Sequence, residues 1–146
     1  MPGRIQDKVC VVTGAAAGIG RAVAARLAEE GGRLALADID VAGAEEAAAG
    51  IPGAAAFPVD VTDPAAVETL YAAVRERFGS IDVCHNNAGI LLADDTDPPA
   101  TELDVWHRIL AVDVLVFVGG VGYALYLKSN DRAKYETIGR MVNEGL

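Results

Sequence analysis

Three glycines and one aspartate are the residues of this sequence whose types and spacing most plainly support chemistry. Gly14, Gly18 and Gly20 stand in the run Thr13-Gly14-Ala15-Ala16-Ala17-Gly18-Ile19-Gly20, behind the apolar run Val9-Cys10-Val11-Val12 and ahead of a helical pattern. A parallel strand that stops at Thr13 and a helix that begins near Gly18 leave several backbone N–H groups unpaired at the positive end of a helix dipole. That arrangement suits a phosphate or pyrophosphate. Gly14 meets the backbone angles of a tight turn, Gly18 puts no Cβ in the way of a ligand, and Gly20 lets the helix pack closely on its strand. Ala15, Ala16 and Ala17 keep the loop small and uncharged.

Asp38 closes the next apolar run, Leu34 to Ala37, eighteen residues beyond Gly20. A doubly wound fold places an acid there against the adenosine ribose, where a carboxylate accepts hydrogen bonds from both hydroxyls and repels a 2′-phosphate. No lysine or arginine occurs from Gly14 to Gly20, and none between Asp38 and Arg75, so NAD is expected over NADP. The competing use of Asp38 is as a plain cap of the following helix.

The elements that must position these residues alternate between strand and helix. The first helix carries Ile19, Val23 and Leu27 on one face and stops at Gly31-Gly32. Val41 to Ala49 is an alanine-rich helix ended by Gly50 and Pro52, and Ala54 to Val59 is a third strand running into Asp60-Val61-Thr62-Asp63. Asp63 precedes Pro64 and reads as an N-cap. Val67, Leu70, Tyr71, Val74 and Phe78 form a core-facing stripe on the next helix, ended by Gly79. Ile81 to His85 is the fourth strand, opening into Asn86-Asn87-Ala88-Gly89-Ile90. His85 is expected to be a packed or hydrogen-bonded strand residue, because nothing nearby is spaced to work with it. Leu91 to Ala100 is an acidic and proline-bearing surface loop, and Thr101-Glu102-Leu103-Asp104 has the form of a capping box for a helix carrying Val105, Trp106, Ile109, Leu110, Val112 and Val116.

Two motifs in order now resemble a known family. Thr13 to Gly20 is similar to the T-G-x-x-x-G-I-G signature of the short-chain dehydrogenase/reductase family, and Asn86-Asn87-Ala88-Gly89 matches its N-N-A-G at the end of the fourth strand. The resemblance runs from about Lys8 to Leu125. It implies an α/β fold, a Rossmann-like doubly wound parallel sheet with helices on both faces and strand order 3-2-1-4, here cut short after about four strands. It further implies a cofactor site made by Gly14, Ala17, Gly18, Ile19, Gly20, Asp38, Asp60, Val61, Asn87, Ala88 and Gly89, with Asp60 and Val61 bordering the adenine ring. The family reaction is reversible hydride transfer between the nicotinamide and an alcohol or carbonyl, with a tyrosine exchanging the proton.

The sequence departs from that pattern in its second half. The family's relay asparagine is matched by Asp113, which keeps an acceptor but loses the amide donor and adds a charge. The four residues standing one helical turn after Tyr71, Tyr123, Tyr126 and Tyr135 are Arg75, Leu127, Asn130 and Gly139, so Tyr-x-x-x-Lys does not occur. The serines are Ser80 and Ser129, neither at the family's catalytic position. Residues 1–127 are therefore read as the dinucleotide-binding unit, and 128–146 as an amphipathic helical tail with Tyr135, Ile138, Met141 and Val142 on one face.

The leading function is the cofactor-binding half of an NAD-dependent oxidoreductase, incomplete for catalysis. A second is an active oxidoreductase completed by another chain or by an unorthodox use of Asp113, Tyr123 and Lys128. A third is a non-enzymatic protein that associates, with its own copy among the candidates, through an open sheet edge.

Composition bounds the rest. At 146 residues and 52% hydrophobic the chain supports one domain with a real core. The net charge of −9, with +1 on the tail and −10 elsewhere, argues against nucleic acid and anionic membranes as partners. Val114 to Leu127 is uncharged, but its fourteen residues fall short of the roughly twenty that span a bilayer and it holds three glycines, so a buried helix is expected. Cys10 and Cys84 lie in strand patterns with no ligand at metal spacing, which reads as reduced core thiols, no metal site and a cytoplasmic setting. Met1 to Lys8 holds no apolar run of signal length.

Overall fold

In the computed structural model, residues 3–90 are described together with 104–105, 107–109 and 111–112. Seven elements alternate in order: β1 (Val9–Thr13), α1 (Gly18–Glu29), β2 (Arg33–Asp38), α2 (Val41–Ala49), β3 (Ala55–Pro58), α3 (Pro64–Phe78) and β4 (Val83–His85). The four strands form one parallel sheet in the order β3-β2-β1-β4. That is the Rossmann-like arrangement expected.

The central strands carry unbroken apolar runs, Val9 to Val12 and Leu34 to Ala37, because each is covered on both sides. Side chains of β1 alternate between the faces: Val9 and Val11 join Ala35, Ala37, Leu70, Tyr71, Val74 and Phe78 in one core, and Cys10 and Val12 join Leu34, Leu36, Ala24, Ala47 and Ala48 in the other. Large helix side chains thus meet alanines of β2 on the α3 face, and alanines of the helices meet leucines of β2 on the α1–α2 face. Complementary volumes keep both layers closely packed.

The caps of α3 are those the sequence announces. Asp63 accepts from the Ala65 N–H at 2.9 Å with Pro64 behind it, and Gly79, at φ 89°, closes α3 with its N–H on the Arg75 carbonyl. The stripe of α3 is as expected, with Leu70, Tyr71, Val74 and Phe78 buried. The inward face of α1 differs. Its buried residues are Gly20 and Ala24, whereas Ile19 is 76% exposed. A helix that lies this close to its strand turns its smallest residues inward, and the bulky Ile19 turns out to the end of the sheet.

The edge strands are shorter than their apolar runs. β3 ends at Pro58, whose missing N–H is tolerated on an edge strand because the Val59 N–H supplies the bond to the Asp38 carbonyl, and β4 begins only at Val83. Both thiols are free, and burial pushes each up from the ordinary cysteine range. At Cys10 the negative charge of Asp82 adds to that, and at Cys84 a hydrogen bond with Tyr71 opposes it. His85 is packed but not hydrogen-bonded at Nε2, which is out of solvent with no partner among the described residues. Among those residues no helix is long and apolar enough to cross a membrane. The tail, Asp113 and the residues from Leu91 to Leu103 lie outside the described residues.

Candidate functional site

A cleft of about 560 Å³ opens at the carboxyl ends of the strands, where parallel sheets present their loops, and falls within the range of roughly 300–1,000 Å³ usual for small-molecule sites. Four segments supply most of its lining, and Val112 adds to it from a fifth. The glycine loop contributes Gly14, Ala17, Gly18 and Ile19; the end of β2 contributes Asp38; the segment after β3 contributes Asp60 and Val61; the segment after β4 contributes Asn87, Ala88 and Gly89. Ten of the eleven binding residues expected from sequence therefore share one cavity wall.

Gly20 is the eleventh, and it sits beneath the wall. A Cβ on it would overlap the Gly14 carbonyl oxygen and lie 2.6 Å from Asn87 Nδ2, so α1 can start this close to β1 only with glycine there. Gly14 and Gly18 have φ of 66° and 54°, which other residues rarely adopt. A Cβ on Gly14 would meet the Ala88 Cα at 2.9 Å, while one on Gly18 would meet nothing within 4 Å and would project into open space. These are the features of a backbone cradle that a phosphate could approach.

The loop is held from both sides. Toward β4, Thr13, the one buried polar residue among those described, accepts the Asn87 and Ala88 N–H groups on its hydroxyl, each at 3.1 Å. Asn87 returns its side-chain amide to the carbonyls of Thr13 and Gly14 at 3.1 and 3.2 Å. Toward β2, the Ala15 N–H bonds to the Ala37 carbonyl and the Ala16 N–H to Asp38 Oδ2 at 2.9 Å. Asp38 does not cap α2: that cap is Asp40, which accepts from Gly43 N–H at 3.1 Å.

Electrostatically the far end of the cleft is acidic. Asp38, Asp40 and Asp60 line it, and no lysine or arginine is among its described lining residues. Hydrogen bonds from the Thr62 hydroxyl and N–H hold the Asp60 carboxyl below the usual carboxylate range, so it is ionised at neutral pH. Sequence reasoning missed Thr13 as a clamp, and Ala16, Ile39, Asp40, Val59, Ile90 and Val112 as lining. Ile39, alone between two aspartates and 72% exposed, was the readable signal.

A four-stranded parallel sheet in this order, with a glycine loop between its first strand and helix and an acid ending its second, defines a Rossmann-type nucleotide fold. Comparison with known proteins narrows that class. A family model described as short chain dehydrogenase matches residues 8–133. The chain is 41% identical over 113 residues to a meso-2,3-butanediol dehydrogenase of Serratia marcescens, covering 76% of this chain and 44% of that protein. It is 48% identical over 88 residues to a galactitol 2-dehydrogenase of Agrobacterium fabrum, covering 60% and 34%. A solved 3-ketoacyl-(acyl-carrier-protein) reductase from Brucella melitensis, complexed with NADH, superposes with a TM-score of 0.73 at 32% identity over 77% of this chain and 46% of that one. The chain belongs to the short-chain dehydrogenase family, and it spans less than half the length of these three relatives.

Proposed function

We propose that this chain binds NAD, in preference to NADP, as the cofactor-binding half of an oxidoreductase acting on an alcohol or carbonyl. The observation that carries the reading is the acidic end of the cleft: Asp38 ends β2 inside it, flanked by Asp40 and Asp60, with no cation among the described lining residues to receive a 2′-phosphate. The Gly14–Gly18 cradle is the seat for the pyrophosphate, and Asp60 and Val61 border the adenine. A relative solved with NADH supports the choice of a nicotinamide dinucleotide.

Bound NAD supplies hydride chemistry; this stretch of chain supplies binding and orientation. The glycine loop offers N–H groups to the phosphates, Asp38 offers acceptors to the ribose, and the segment from Asn87 to Gly89 forms the wall beside them. Serine and Tyr-x-x-x-Lys in the family's proton-exchanging positions are not among the 146 residues, and Asp113 stands where the relay asparagine would; what the residues lining the cleft offer is a hold on the cofactor. Two free thiols fit a cytoplasmic setting.

Calorimetric titration of the chain with NAD and, separately, with NADP tests this. Saturable NAD binding, tighter than NADP by at least about tenfold and lost in Gly18→Val, is the expected result. Absence of NAD binding, or tighter NADP, overturns it.

A further inference from the structure

Asp38 has both carboxylate oxygens engaged before any ligand arrives: Oδ2 accepts from Ala16 N–H at 2.9 Å and Oδ1 from Asp40 N–H at 3.0 Å. One of these donors is in the glycine loop and the other is the N-cap residue of α2. We propose that Asp38 is a positioning residue for the glycine loop, a tether that sets where the loop's free N–H groups point, in addition to whatever it does for a ribose.

The surroundings give this single bond leverage. Ala15 is fully buried and Ala16 nearly so, so the loop's middle has little water to replace a lost acceptor. On the β4 side the loop hangs on Asn87; on the β2 side its two bonds are Ala15 N–H to the Ala37 carbonyl, at 3.3 Å, and the shorter one to Asp38. The start of α2 is registered to the same point, because a Cβ on Gly43 would come within 2.9 Å of the Ala16 Cβ and 3.1 Å of the Asp40 carboxyl carbon. Asp38 therefore joins three segments: the loop, the end of β2 and the cap of α2.

Only a carboxylate does this. The two oxygens of a carboxylate accept about four hydrogen bonds, of which the backbone takes two and leaves two, as many as a ribose diol has hydroxyls to donate. An asparagine has one oxygen and must turn its NH₂ toward one of the two N–H groups, so it can hold Ala16 or Asp40 and not both. An alanine holds neither. It follows that the residue expected to discriminate against a 2′-phosphate cannot be neutralised without loosening the phosphate cradle. That last step rests on the cofactor reading above; the tether itself does not.

The test is amide hydrogen exchange on the full chain without ligand, in the unchanged protein, Asp38→Asn and Asp38→Ala, followed by titration with NADP. Expected are slow exchange at Ala16 and Asp40 in the unchanged chain, at least about tenfold faster exchange at both in Asp38→Ala, and faster exchange at one of the two in Asp38→Asn, with strand amides at Val11 and Leu36 still slow. If Asp38→Ala does not fold, the asparagine variant decides alone. Ala16 and Asp40 both remaining as slow in Asp38→Asn, or Ala16 as slow in Asp38→Ala, overturns the tether. Removal of one negative charge by itself would favour NADP, so Asp38→Ala binding NADP as tightly as the unchanged chain binds NAD also overturns it. A chain with a protected Ala16 amide that binds neither dinucleotide sinks the cofactor reading and leaves the tether standing.

Discussion

At the carboxyl end of the sheet β1 and β4 are joined through Thr13 and Asn87, and at the amino end through Val9 and Asp82. Both joints use a side chain to occupy backbone groups that the short ladder of β4 leaves over. At the amino end the partner is a charge: Asp82 Oδ2 accepts from the Val9 N–H at 2.8 Å and from Ser80, Oδ1 lies 3.7 Å from Lys8 Nζ, and the Asp82 N–H bonds back to the Val9 carbonyl. At the carboxyl end the joint is neutral and compact, and glycines surround it. A neutral joint leaves the loop's N–H groups as the local source of positive potential; a carboxylate in its place would compete for them. One end of the seam is closed by a charge, and the other is kept neutral beside the cleft where the pyrophosphate is proposed to sit.

Four substitutions would break or sharpen that contrast. The largest effect is expected from Gly20→Val, since its Cβ has no room against Gly14 and Asn87; it should destabilise the chain by about 2–3 kcal/mol in urea unfolding and abolish dinucleotide binding with it. A stable Gly20→Val protein would mean that the carboxyl joint is looser than described. Next is Asp82→Ala, which orphans the buried Val9 N–H and should cost about 1–2 kcal/mol while leaving dinucleotide affinity unchanged. A fall in affinity there would erase the distinction between the two ends.

The same residue gives a pH dependence with a definite sign. The Val9 N–H first, then Ser80 and Lys8, hold the Asp82 carboxyl below the usual carboxylate range. A group whose folded pKa is depressed adds stability above its unfolded pKa, near 4, and that contribution disappears as the pH falls through the lower folded value. The wild-type chain should therefore lose more stability than Asp82→Ala on acidification below about pH 4; parallel pH curves in thermal unfolding would refute the assignment.

Gly18→Ala comes third. Its Cβ meets nothing, so the cost is the left-handed backbone alone, about 1 kcal/mol in thermal unfolding, and the sharper loss should be in NAD affinity. Smallest is Arg21→Ala, which removes an exposed pair with Glu46 at 3.0 Å and should change stability by less than about 0.5 kcal/mol.

Much of this was legible because it is local. The glycine spacing after an apolar run, the Asp63-Pro64 cap and the stripe of α3 each depend on residues within a turn or two of one another, and each is found as read. What escaped is long-range. The partners of Thr13 lie 74 and 75 residues away, and no local pattern announces that a threonine at a strand end will hold them. The apolar side chain and spacing of Ile19 point to the inner face of α1; the sheet's closeness, which fully buries Gly20 and Ala24 there and leaves Leu27 half-buried, decides otherwise. The split of β1 into two cores follows from strand alternation, but the pairing of large helix residues with small strand residues needs the layers in hand.

The register also orders events in time. Val9 pairs with Arg33 and Ala35 with Ala55, twenty-four and twenty residues apart, whereas Cys10 waits for Val83, seventy-three residues on. Loop closure favours the nearer pairings, so β1, β2 and β3 are expected to assemble first and β4 last; pulse-labelled exchange showing Leu36 protected before His85 would bear this out. Asp38 can take hold of the glycine loop early, while the loop's other support arrives only with β4. The cleft is thus finished by the last of the four described strands to dock, so dinucleotide binding, if it follows the proposal above, would report that these four strands have come together.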